Sequence, residues 1–403
     1  MLSSAGGTNW RVGFNAGDRA FHFGPSTYIP YLDTLENWSA TFARLCDEHG
    51  FTDLILYGDA RPVHQQAIAI AHDLGITVHV FEEGYLRPYW VTYERNGSNG
   101  YSRLMDISVD DMRETLAVTD MEVPSPPAHW GDLRQHVFYG ALYHWFVLFR
   151  NRPYAKMARH RALTVFQEAK LYSKRLFIMP IQAAKRAYTT RRVKNGGYPF
   201  HMALLQLEHD ASFQTHSDYG TMAAFIADVV AGFANGAPSH HHLVFKAHPL
   251  ETGQLPLRQI IRQHATDLGV LDRVHFVRGG KLAQLLDHAR SAVTINSTAG
   301  QQVLWRGIPL KAFGRAVYDK PEFVSSQPLD AFFADPDRPD GRAYREFRQY
   351  LLETCQLPGS FYATKGRRQL LREVVDLILA PSDPYDRLAA GKAPPRQPIT
   401  QID

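Results

Sequence analysis

Glu82 and Glu83 close an apolar run, Ile76-Thr77-Val78-His79-Val80-Phe81, and are followed by Gly84 and, four residues after Glu83, Arg87. The run has the pattern of a buried strand, and Gly84 permits the tight turn that ends it. In an open α/β sheet, ligands bind in the crevice beyond the carboxyl ends of the strands. Carboxylates at such a place are often perturbed and functional. The same residues also suit an ordinary strand-end turn with a solvated acidic pair and a surface arginine.

Other strand ends carry chemistry of their own. Ser297-Thr298-Ala299-Gly300 falls between a strand and a helix, where free backbone N–H groups and the helix start favour an anion, phosphate above all. A simple N-cap is the competing reading. Lys246-Ala247-His248-Pro249 ends another strand, and an imidazole there can donate to a phosphate oxygen and help a leaving group depart. A surface histidine at a turn explains it equally well. Gln206, Asp210, His216 and Ser217 gather around a further strand end, and Asn15, Asp18 and His22 do so near the N-terminus. Together they suggest a polar cleft lined from two domains. The run His240-His241-His242 lacks carboxylate partners at ligand spacing and reads as a feature of the surface. The sequence contains neither GxxxxGK[ST] nor GxGxxG, so neither a P-loop nor a dinucleotide fingerprint applies.

These residues need a scaffold, and 403 residues with 45% apolar content are enough for two domains with sizeable cores. The formal charge of +4 is too mild to argue for nucleic acid. The two cysteines, Cys46 and Cys355, lie far apart, which excludes a cysteine metal site or disulfide framework and fits a reducing cytoplasm. Met1 to Gly7 lacks a basic segment and a long apolar core, so no secretory signal is expected. No window has the roughly 18 uninterrupted apolar residues of a membrane span, so a soluble or peripheral protein is expected.

In chain order, Trp10 to Asn15 reads as a strand running into a loop, Ala16-Gly17-Asp18-Arg19, with a flexible glycine. Tyr31 to His49 has helical spacing and ends at Gly50; Thr52 to Gly58 is a strand; a helix from Arg61 to Ala71 precedes the strand that delivers Glu83. Strands alternating with helices argue for a parallel sheet. Val123 to Pro127 reads as extended, and His136 to Phe149 as an aromatic-rich helix. Arg150 to Lys194 is strongly basic, suited to an anionic membrane surface or to a solvated helical linker. A second α/β unit begins near Tyr198, with strands at 202–207, 243–247, 274–277, 291–295 and 310–313 and a helix from Ser217 to Phe233. Helices over 344–352 and 365–379 close the chain, and a loose tail follows Pro381. The expected fold is α/β, with two doubly wound domains facing a cleft.

Phe14-Asn15-Ala16-Gly17-Asp18, Glu82 to Pro88, Gly97-Ser98-Asn99-Gly100, Gln206 with Asp210, His216-Ser217, Lys246 to Pro249 and Asn296 to Gly300 occur in an order that resembles the capsule polysaccharide synthesis family, and within it the β-Kdo transferases. The resemblance implies a GT-B-like enzyme, two Rossmann-like domains with C-terminal closing helices. Residues 1–195 would form the acceptor-side domain, with an aromatic and basic insertion at 131–194; 196–340 would bind the CMP-sugar; 341–380 would close the structure; 381–403 would be the tail. It implies a retaining transfer of Kdo from CMP-Kdo to a phosphatidylglycerol-type lipid or a Kdo-lipid, starting a capsule linker. No cofactor and no metal are implied, since CMP leaves with its charge already in place and no DxD-type site is present.

Retention by double displacement needs a carboxylate nucleophile, and the family's acid-Gly-aromatic-aliphatic-Arg motif places that acid on Glu83. Glu stands here where two-domain relatives often show Asp. Arg87 would pair with the sugar's carboxylate in a fork, and Glu82, Asn15 and Gly17 would line the same side. His248, Lys246, Gln206, Asp210, His216, Ser217, Asn296, Ser297, Thr298, Ala299 and Gly300 would hold the nucleotide or its phosphate, and Asp18 would activate the acceptor. The implied partners are an anionic lipid on the inner face of the bacterial inner membrane and capsule assembly or export proteins, not nucleic acid. Two other readings stay open: an inverting transferase using another CMP- or UDP-sugar, and a non-catalytic assembly adaptor.

Overall fold

A computed structural model describes residues 2–117, 134–157, 184, 187–251 and 253–392. They form two compact units that interleave along the sequence: 2–98, 134–157 and 352–392 in the first, and 99–117, 184 and 187–351 in the second. Residues 99–117, expected within the 1–195 domain, belong to the second unit, and 352–392 belong to the first.

In the first unit, Trp10–Gly13 (β1) and Thr27–Pro30 (β2) form a parallel pair. The strand expected to reach Asn15 stops at Gly13, and the expected loop is a short helix, Ala16–Ala20, capped by Asn15. A separate sheet contains Asp53–Tyr57 (β3), Thr77–Glu83 (β4) and Trp90–Arg95 (β5). β3 and β4 are parallel, with Leu56 opposite Val80, whereas β5 turns back antiparallel, with Thr92 opposite Glu82. This sheet is therefore mixed rather than parallel throughout, because the link from Glu83 to Trp90 is too short for a crossover. Trp38, Phe42 and Cys46, from the helix Trp38–His49, and Ala67 and Ala71, from the helix Pro62–Asp73, pack on Leu56, Val78 and Val80. The first of these helices begins at Trp38 rather than Tyr31, since Leu35–Asn37 forms a tighter 3-10 turn.

The second unit is a five-stranded parallel sheet: Phe200–Leu204 (β6), His242–Lys246 (β7), Val274–Val277 (β8), Ala289–Thr294 (β9) and Leu310–Ala312 (β10). Its spatial order is β8-β7-β6-β9-β10. The chain builds outward from β6 to β8, then crosses back to place β9 on the other side of β6. Strand order thus reverses between β6 and β9, the place where doubly wound sheets open a crevice. Phe225, Val229 and Phe233 of the helix Met222–Gly236, together with Ile261, Phe332 and Phe333, cover Ala203, Phe245 and Val293. That helix was expected from Ser217; Thr221 caps it instead by accepting from the Ala224 amide, and Ala211–His216 is a separate short helix.

Helices stand at Gly341–Thr354 and Thr364–Leu379, as the sequence indicated, but Gln356–Pro358 (β11) between them adds antiparallel to β5. The tail expected after Pro381 contains a further helix, Pro384–Ala389, with Tyr385 and Leu388 buried. Its anchor is chemical: the Tyr385 hydroxyl donates to the buried Glu94 carboxylate (2.9 Å), which also accepts from Tyr85 (2.5 Å). The expectations for Val123–Pro127 and for most of the basic run lie outside the described residues, as does the tail beyond 392. No helix among the described residues is long and apolar enough to cross a membrane.

Candidate active site

Glu82 and Glu83 are the last two residues of β4, and both are half-buried. The turn behind them is tightly specified. A Cβ at Gly84 would come within 2.3 Å of the Trp90 carbonyl oxygen, so only glycine lets the two backbone segments approach. Thr92 Oγ1 accepts from the Tyr85 amide (3.2 Å) and donates to the Glu83 carbonyl (3.2 Å). The Leu86 amide donates to Gln356 Oε1 (3.1 Å), so β11 also holds the turn. Arg87 is exposed, and its Nε donates to the Gly84 carbonyl (3.1 Å), which orients the guanidinium.

The two carboxylates differ. Glu82 Oε1 accepts from the Glu83 amide (3.0 Å), and its carboxyl is pushed up to about 7, first by burial and then by the neighbouring charges of Glu83 and Asp59. Near neutrality it is partly protonated, so the pair carries less than two charges. Glu83 Oε1 accepts from the Tyr57 hydroxyl (3.2 Å), and Tyr362 has its hydroxyl within hydrogen-bonding reach of the same carboxylate. Asp59 is fully buried and fixed by the amide and hydroxyl of Ser98 (2.6 and 3.1 Å).

Asn15, Gly17 and Asp18 form a second cluster in this unit. Asp18 accepts from the Phe14 amide (2.9 Å) with one oxygen and from the Tyr143 hydroxyl (2.9 Å) with the other, and Asn15 donates to the same Tyr143 (2.7 Å). Gly17, expected as a flexible glycine in a loop, serves close approach, because a Cβ there would meet the Tyr143 ring at 2.6 Å. The helix Arg134–Arg150 is thus clamped on the short helix, while Phe138, Tyr139, Trp145 and Phe149 remain exposed.

In the second unit Gln206, His248 and Asn296–Ser297 follow β6, β7 and β9, which are neighbours and parallel, so they share one sheet edge. Gln206 and Asn296 meet at the reversal of strand order. Gln206 Nε2 donates to Asn296 Oδ1 (2.7 Å), and the Asn296 amide donates to Gln206 Oε1 (3.0 Å). Asn296 Nδ2 donates to the Ser212 and His216 carbonyls (3.0 and 3.1 Å). Both side chains are buried and bonded to protein, which makes them scaffold. His248 Nδ1 accepts from the Leu250 amide (3.2 Å), which leaves the proton of a neutral ring on Nε2. Lys246 is buried, with Nζ donating to the Ala247 carbonyl (3.0 Å). Asp210 caps Ala211–His216, and Ser217 Oγ accepts from the Tyr219 amide (3.0 Å).

In the turn Asn296 to Gly300, the Asn296 amide donates to Gln206 Oε1, Ala299 to Ser297 Oγ and Gly300 to the Ser297 carbonyl. The helix that follows, Gly300–Leu304, has five residues, too few for an appreciable macrodipole. What the turn presents is the side chains of Ser297 and Thr298, both half-buried. The histidine run departs in part from the expected surface position: His240 is exposed. His241 is buried and shares a hydrogen bond with His201 (3.0 Å); His242 shares one with His275 (2.8 Å) and stacks on Tyr198. His241 is core and His242 half-buried, at the opposite end of the strands from His248.

The chain is an α/β protein with polar residues at the strand reversal of a doubly wound sheet and a carboxylate pair and an arginine at a strand end of a second sheet. The chain belongs to the capsule polysaccharide biosynthesis family, whose model, described as capsule polysaccharide biosynthesis protein, matches residues 52–362. That span includes Glu82, Glu83, Arg87, Gln206, His248, Ser297 and Tyr362 and begins after Asn15, Gly17 and Asp18. The capsule polysaccharide export protein KpsS of Escherichia coli is 29% identical over 362 residues, 90% of this chain and 92% of the relative. The capsule polysaccharide modification protein LipB of Neisseria meningitidis serogroup A is 31% identical over 380 residues, 90% of this chain and 87% of the relative. Among solved structures, the KpsC β-Kdo 2,7 transferase of Thermosulfurimonas dismutans aligns with 13% identity over 87% of this chain and 92% of that one, with a TM-score of 0.42.

Tyr57 and Tyr362 escaped sequence reading. Tyrosine in a strand or beside a helix reads as core, and only the fold brings residue 362 back to residue 83.

Proposed function

We propose that this protein is a retaining glycosyltransferase that moves Kdo from CMP-Kdo to a phosphatidylglycerol-type lipid, or to a Kdo-lipid, in capsule assembly. The observation that carries the reading is the Glu82–Glu83 pair on its locked turn, with Arg87 three residues beyond Gly84. Family membership supplies the biological setting.

In this reading the Glu83 carboxylate attacks the anomeric carbon, and the bond from that carbon to the CMP phosphate oxygen breaks, its electron pair leaving with CMP. The acceptor hydroxyl then attacks the same carbon, the ester bond breaks back onto Glu83, and the configuration is retained. Arg87 pairs with the sugar's own carboxylate. On the second unit, the hydroxyls of Ser297 and Thr298 are hydrogen-bond donors suited to a phosphate. Asp18 takes the acceptor's proton: each of its oxygens holds one hydrogen bond, and a carboxylate offers about four lone-pair sites. The exposed rings of the helix Arg134–Arg150, with Arg150, Arg152 and Lys156 beyond them, suit an anionic lipid surface.

Incubation with CMP-Kdo and a phosphatidylglycerol analogue tests the proposal. It expects release of CMP and a Kdo-lipid product, and loss of both in Glu83→Gln with CMP binding kept. Full activity of Glu83→Gln removes the nucleophile assignment, and release of a nucleotide only from another CMP- or UDP-sugar removes the donor.

A further inference from the structure

We infer that Tyr57 and Tyr362 are positioning residues for Glu83, and that β11, through Gln356, brings the C-terminal segment back to complete this site. The inference rests on Glu83 as the reacting carboxylate and names groups that neither the motif nor the family match singles out.

Tyr57 ends β3 beside β4, and its hydroxyl donates to Glu83 Oε1 (3.2 Å). The ring stands edge-on to Phe361 at 5.0 Å, so the residue before Tyr362 braces Tyr57. Tyr362 reaches the same carboxylate, and its own ring packs edge-on against His136 at 4.4 Å. Two strands separate in sequence bring these groups together. β11 pairs with β5 so that Gln356 lies opposite Thr92, and Thr92 lies opposite Glu82 in β4. Gln356 Nε2 donates to Thr92 Oγ1 (3.0 Å), and Gln356 Oε1 accepts from the Leu86 amide (3.1 Å). Both side chains are buried. The turn from Glu83 to Leu86 is therefore held from the C-terminal side, and the chain leaves β11 directly into Phe361 and Tyr362.

The chemistry of the arrangement follows. A carboxylate nucleophile must be charged and aimed. The Tyr57 phenol donates to one oxygen and Tyr362 lies within reach of the same carboxylate, so the two rings narrow its rotation without adding net charge.

The test is the double variant Tyr57→Phe/Tyr362→Phe, which keeps both rings. With CMP-Kdo and the phosphatidylglycerol analogue, kcat should fall about a hundredfold while KM for CMP-Kdo stays within about twofold. An unchanged kcat overturns the inference, as does a loss confined to KM. Mass-spectrometric capture of the sugar on Tyr57 or Tyr362 also overturns it. Turnover by Glu83→Gln would remove the proposed function itself, while an inactive Glu83→Gln beside an unchanged kcat in the double variant removes only this inference.

Discussion

The carboxyl end of β4 and the carboxyl ends of β6 and β9 carry similar numbers of polar side chains but use them differently. At the second edge the buried Gln206 and Asn296 bond to each other, and Asn296 also donates to the Ser212 and His216 carbonyls. At the first, Glu82 and Glu83 are half-buried, one holding its proton up to about 7 and the other held only by phenols through its side chain. A matched buried amide pair fixes the crossing between strands and does little chemistry. A carboxyl raised by burial and by like charge is under tension that a substrate can relieve. Strand-end position is shared by both sets; the state of their hydrogen bonds separates them.

The comparison breaks or sharpens on two substitutions. Glu83→Gln should lower kcat by about 10⁴-fold, equivalent to about 5.5 kcal/mol, with the thermal midpoint moved by about 2 °C at most. Asn296→Ala should do the opposite: it removes the three side-chain bonds to Gln206 and to the Ser212 and His216 carbonyls and should cost about 2–4 kcal/mol of stability in denaturant unfolding. The surviving folded fraction should keep kcat within about threefold. If Asn296→Ala leaves stability untouched and removes activity, the second edge is the reactive one and the contrast is reversed.

Much of the second unit was legible because its strands are short continuous apolar runs bounded by turn residues, the mark of a parallel sheet buried on both faces. Val274–Val277 matched the expected bounds, and the edge shared by Gln206, His248 and Ser297 followed from the alternation of strands and helices. The first unit was less legible for a physical reason. β5 follows Pro88 without a helix, and β11 has three residues with no alternation to reveal it. Both are fixed by partners distant in sequence: Gln356 by Thr92, and Tyr385 by Glu94. The histidine run misled because imidazole reads as polar, yet a neutral ring that shares hydrogen bonds with another ring, as His241 does with His201, packs as core.

The two units should also answer pH with opposite signs, a smaller effect that sharpens the same contrast. The Glu82 carboxyl is raised to about 7 from an ordinary 4.5, so the folded first unit binds a proton that the unfolded chain has released. Its contribution to stability is full below about 4.5 and is lost as pH rises through about 7. Burial pushes Glu373 of the same unit to about 7 as well, with the same sign. In the second unit burial pushes His275 down to about 4 from 6.5 and holds the bonded pair His201 and His241 well below the usual imidazole range. Those neutral rings contribute fully above about 6.5, and their contribution falls as pH drops toward about 4. Denaturant unfolding at pH 4.5, 5.5, 6.5 and 7.5 therefore separates the two: Glu82→Gln should remove part of the loss on the alkaline side, and His201→Gln part of the loss on the acid side. Neither should alter the other's limb, because the two groups belong to different units and share no hydrogen bond. A Glu82→Gln curve parallel to that of the parent from pH 4.5 to 7.5 would mean that the carboxyl is not under tension in the folded protein, and the electrostatic half of the contrast between the edges would fall with it.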